Sequence, residues 1–204
     1  ILFLDASSQE SINSSLLSKN SGLNNFEIVN VIEIAEKDDE IETILIDISL
    51  MNLSATDANE IGESLNSFRS SGKKVITYGD FYFQNQYLLA SYSDEIILNP
   101  FGLVYLEGYK NYRFYLKEAL NKLNINVNTF VAGDYKSASE IFTNESMSEN
   151  SKSESMRFLS ALWNEWIKNV SSNREKEISI KIQDYIDTVS YTHLRAHETT
   201  RHLV

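Results

Sequence analysis

The sequence predicts an α/β fold with a largely parallel sheet and flanking helices, and three observations lead there. Apolar runs of five or six residues alternate with longer stretches of helical period, the pattern of right-handed strand–helix–strand crossovers. The run TILIDI at residues 43–48 is almost continuously β-branched, which suits a strand buried on both faces. The chain has 204 residues, 42% hydrophobic and 23% charged, enough for one soluble globular domain with a real core.

In chain order, Ile1, Leu2, Phe3 and Leu4 form an apolar run that reads as a strand already under way. The chain opens without Met, so a fragment or a processed chain is the expectation. Residues 23–38 carry Phe26, Val29, Ile32 and Ala35 behind the possible caps Asn24 and Asn25, which predicts a helix. The strand at 43–48 follows. Residues 56–70 place Ala58, Ile61, Leu65 and Phe68 on one face, and Gly72 ends that second helix. A strand at 74–78, a short helix at 84–91 and a strand at 95–98 come next. Asn99, Pro100, Phe101 and Gly102 mark a turn containing the only proline, with a further short strand at 103–108. Tyr112, Leu116, Ala119, Leu120 and Leu123 form the stripe of another helix, and residues 127–132 make the next strand. Met156, Leu159, Trp163, Trp166 and Val170 define a long helix over 151–172, whose tryptophans read as core or interface anchors.

Charge and composition exclude several functions. A net charge of -11 repels phosphate backbones and anionic membrane surfaces, so nucleic acid is not an expected partner. The absence of Cys removes disulfides, thiolate nucleophiles and Cys-ligated zinc. Neither GxGxxG nor GxxxxGK[ST] occurs, which rules out nucleotide binding by those loops. No apolar run reaches the roughly 18 to 20 residues that a membrane-spanning helix needs, and no signal-peptide pattern opens the chain.

All three histidines, His193, His197 and His202, lie in residues 189–204. That stretch has no apolar period, and its YTHLRAHET segment resembles translated adaptor sequence, so it reads as a foreign tail behind a domain of residues 1–188. His193 and His197 at i, i+4 beside Glu198 suggest a metal site, but such a site needs an ordered amphipathic face that the tail lacks. Residues 1–188 therefore contain neither His nor Cys, which excludes Ser-His-Asp and Cys-His catalysis there. Proton transfer must use Lys, Asp, Glu or Tyr.

Functional residues in open α/β sheets tend to follow strand ends, and Lys136 follows the strand expected at 127–132 in the turn Gly133, Asp134, Tyr135, Lys136. On position alone a solvated surface lysine remains the better reading. The carboxylates Asp80 and Glu107, each near a strand end, form a weaker candidate acid/base pair.

The segment GDYKSASEIF at 133–142 resembles the Gly-x-Tyr-Lys-Ser-Ala segment of the signal peptide peptidase A (protease IV) family, the S49 serine peptidases. Residues 73–100, KKVITYGDFYFQNQYLLASYSDEIILNP, are similar to that family's block of strand, short helix, LAS and strand ending in Asn-Pro. The helix with paired aromatics after MSE at 147–149 is similar too, and the resemblance covers about residues 24–188. It implies a ClpP/crotonase-like fold and a Ser-Lys dyad in which a neutral lysine deprotonates a serine that attacks a peptide carbonyl. Lys136 would be that catalytic base; of the supporting residues, Ser137 reads first as a turn or cap residue with positioning of the lysine amine as its functional alternative, and Tyr135 reads as packing against the next helix. Burial can lower a lysine from about 10.4 by several units, whereas Asp134 would act in the opposite sense unless it points away. Ser139 and Ser146 read as turn and cap residues.

Where the short form of the family has its nucleophile before Gly-Gly-Tyr, this chain has Gln84, Asn85, Gln86 and Tyr87. Glycines are also missing after the strand ending at Ile48, where Ser49, Leu50, Met51 and Asn52 stand. The pattern resembles the N-terminal repeat of the long, two-repeat form, which supplies the lysine while a C-terminal repeat supplies serine and oxyanion hole. The resemblance further implies peptide substrates such as cleaved signal peptides and other short hydrophobic chains. It also implies a homo-oligomer, a site on the periplasmic side of the bacterial inner membrane, an anchor outside this chain, and no metal or organic cofactor. The alternatives are a non-catalytic assembly domain of the same fold and, more weakly, a crotonase-type acyl-CoA enzyme.

Overall fold

The structure, a computed structural model, describes residues 1–5, 25–49, 51–130 and 137–174. The elements run β1 (Leu2–Leu4), α1 (Asn25–Lys37), β2 (Thr43–Asp47), α2 (Ala55–Ser70), β3 (Lys74–Phe83), α3 (Gln84–Ala90), β4 (Glu95–Tyr105), α4 (Lys117–Lys122), a 3-10 turn (Ser137–Ser139), α5 (Glu140–Thr143) and α6 (Glu149–Arg174). The chain divides into two compact units, residues 1–107 with 166–204, and residues 108–165.

In the first unit all strand pairs are parallel, in the order β1-β2-β3-β4. That is the sheet the alternation of elements predicts. α1 packs on α2 and α2 on α3. Burial alternates along β2 and β3: Ile44 and Ile46, then Val75 and Thr77, are buried, while their neighbours are half-exposed or exposed. The expectation that residues 43–48 are buried on both faces is therefore corrected: only one face of β2 is fully buried.

The helices obey the 3.6 period more closely than a count of threes. In α1 the buried residues are Ile28, Ile32 and Ala35, while Phe26 is exposed; a strict three-residue spacing drifts off the face, and alternating four and three stays on it. In α2 the expected Ala58, Ile61, Leu65 and Phe68 are all buried. Ser54 caps this helix by accepting from Asp57 N at 3.1 Å, and Asp57 reciprocates to Ser54 N at 3.0 Å. Lys73 closes the other end of the layer, donating to the terminal carbonyls of α1 at Ala35, Glu36 and Asp38, each within 2.8 Å.

The turn expected at Asn99 to Gly102 is absorbed into one long strand. Leu98 pairs with Gly79 and Leu103 with Phe81, so Asp80 alone faces the four residues 99–102. The chain therefore bulges there without leaving the sheet, which lets the proline sit in the strand without interrupting a regular ladder. Gly102 is required at this bulge, since a Cβ would strike the Asp80 carbonyl. Beyond the bulge, Phe81, Phe83, Leu103 and Tyr105 are exposed, and the Phe83 and Tyr105 rings meet edge to face at 6.3 Å.

From Trp166 onward α6 belongs to the first unit and completes its core. Trp166 and Val170 are buried, Asn169 bonds Asn59 at 3.1 Å, and Arg174 donates to the Ser93 carbonyl at 3.1 Å. The second unit differs from the expectation. Only residues 117–122 of the 112–123 stripe are helical, and Tyr112 and Leu123 are largely exposed. Residues 127–130 form no strand, and the rest of the strand expected at 127–132 lies outside the described residues. In α6 Met156 is exposed, while Trp163 meets Tyr109 edge to face at 6.4 Å.

Candidate active site

At the end of β3 the chain turns directly into α3, and Gln84 is the first helical residue. Gln84 and Gln86 are buried here, and most of the corner's polar side-chain atoms are paired. The Gln84 carbonyl accepts from Trp166 Nε1 at 3.1 Å, and the Trp166 ring lies 6.4 Å from that of Tyr87. Gln86 accepts from Phe83 N at 3.0 Å through Oε1, and donates through Nε2 to the carbonyls of Ile48 at 3.2 Å and Met51 at 2.8 Å. Asn85 Nδ2 donates to the Leu53 carbonyl at 2.9 Å. Its Oδ1 is buried without a partner.

These contacts decide what the corner can do. An oxyanion hole needs N–H groups free to face a developing charge. Here Gln86 takes the Phe83 N–H, and the loop after β2 turns three carbonyls toward amide side chains instead. The signal in the sequence was the pair of amides at Asn85 and Gln86; that they would latch onto residues 32 to 38 positions earlier was not readable from local pattern.

Two tyrosines near this sheet end are poor bases. Burial pushes the Tyr78 phenol up, and its bond to Asp47 at 3.1 Å adds to the effect. Burial pushes Tyr82 up as well, and its hydroxyl donates to the Ile97 carbonyl at 2.8 Å. Both remain protonated at neutral pH. Asp80 is exposed and accepts from Asn99 at 2.8 Å, and Glu107 is exposed beyond β4.

In the second unit Ser137 opens the 3-10 turn, and its hydroxyl accepts from Arg113 Nη1 at 3.3 Å. Lys136, Tyr135 and Asp134 lie outside the described residues. Ser139 leads into α5, its carbonyl accepting from Thr143 at 3.2 Å, and Ser146 lies in the bend before α6. Glu140 accepts from both the hydroxyl and the N–H of Ser148, the latter at 3.3 Å. The Ser148 hydroxyl, with further help from its backbone bond and the charge of Arg113, holds the Glu140 carboxyl below its usual range. Arg113 and Ser148 are contributors that sequence reasoning missed.

Among the described residues no three His, Cys, Asp or Glu gather in a way that could hold a metal ion, and no helix is long and apolar enough to cross a membrane.

A parallel sheet whose third strand runs straight into a helix, with that helix latched to the preceding strand's loop, makes this an α/β protein, and its family membership makes the fold ClpP-like. The sequence profile of peptidase family S49 matches residues 67–199, and the chain belongs to that family. It is 39% identical over 155 residues to Protease 4 of Haemophilus influenzae, covering 74% of this chain and 25% of that protein. It is also 39% identical over 153 residues to Protease 4 of Salmonella typhi, covering 74% and 24%. The chain thus spans about a quarter of the length of these curated relatives.

Proposed function

We propose that this chain is the lysine-donating part of a Ser-Lys dyad serine endopeptidase, with Lys136 as general base and the nucleophilic serine in a further repeat of the same protein. The observation that carries the reading is the corner at Gln84, where the family's short form has its serine: an amide side chain stands there and its neighbours close the backbone off. Family membership and the names of the relatives support a peptidase. The absence of His and Cys from residues 1–188 leaves lysine as the base best suited to acyl transfer. The substrates are cleaved signal peptides and other short hydrophobic peptides, handled by a homo-oligomer on the periplasmic side of the bacterial inner membrane.

In this mechanism the lysine must be neutral, so its amine needs a desolvated setting. It accepts the serine proton as the oxygen attacks the peptide carbonyl, then returns that proton to the departing amine. Lys136→Ala in the full-length protein should lower peptide cleavage by about 100-fold or more, the usual worth of a general base, with assembly unchanged by size-exclusion chromatography. Unchanged cleavage would remove the catalytic assignment and favour a non-catalytic assembly domain, a role to which the closed Gln84 corner is equally suited.

A further inference from the structure

We draw no further inference here: the strongest candidate, the exposed apolar patch of Phe81, Phe83, Leu103 and Tyr105 where β3 and β4 pair beyond the bulge, carries nothing because nothing among the described residues shows what covers it.

Discussion

Gln86 shows how one side chain sets the character of the β3–α3 corner. Its amide engages the Phe83 N–H, the Met51 carbonyl and the Ile48 carbonyl, which also accepts from Met51 N at 3.2 Å, so Gln86→Leu removes three hydrogen bonds from the corner. A loss of about 2–4 kcal/mol is expected, read as a lower urea midpoint with an unchanged slope. Glu140 gives a pH-dependent counterpart. Its folded carboxyl titrates below the usual range, chiefly through the Ser148 hydroxyl, so its contribution to stability is present above the unfolded carboxylate pKa and lost as pH falls through the folded value. Ser148→Ala should move the Glu140 titration upward, toward the ordinary carboxylate range, in a carboxyl-detected NMR titration. No upward movement would contradict the role of that hydroxyl.

At the scale of elements, α2 depends on a glycine that helix propensity argues against. Gly62 lies against the Tyr92 ring, whose hydroxyl bonds Asn59 at 3.2 Å, and a Cβ at position 62 would overlap that ring. Alanine elsewhere in a helix gains about 1 kcal/mol over glycine; here overpacking of about 1–3 kcal/mol opposes it. Gly62→Ala should therefore destabilise the chain, and a raised melting temperature would refute the close packing. α6 makes a related point at its C-terminal half. Trp166 fills the core between Tyr87 and the Gln84 carbonyl, so Trp166→Ala should cost about 3–5 kcal/mol in urea unfolding. Met156 is exposed on the same helix, so Met156→Ala should have little effect.

Over the whole molecule the excess of acidic groups matters more than any one ion pair. A net charge of -11 repels itself in the folded state, so the melting temperature should rise as salt is raised from about 0.01 to 0.15 M, where the screening length falls from about 30 to 8 Å. The order of strands and helices in the first unit was legible in the chain because period 2 and period 3.6 are local patterns, and α2 shows this with all four of its expected apolar residues buried. The stripes at 112–123 and in the first half of α6 misled, because periodicity records which residues share a face and not whether anything covers it. The turn read at Asn99 and Pro100 was locally sound, but pairing with β3 on either side carried the strand through it as a bulge. By itself the sequence determined the α/β class, the family resemblance and the absence of a serine at position 84, all carried by residue identity and short-range spacing. Only the tertiary structure decided that Gln86 closes the corner, that Trp166 caps it from 82 residues away and that Arg113 holds Ser137, because these contacts join segments 24 to 82 residues apart that no local period can bring together.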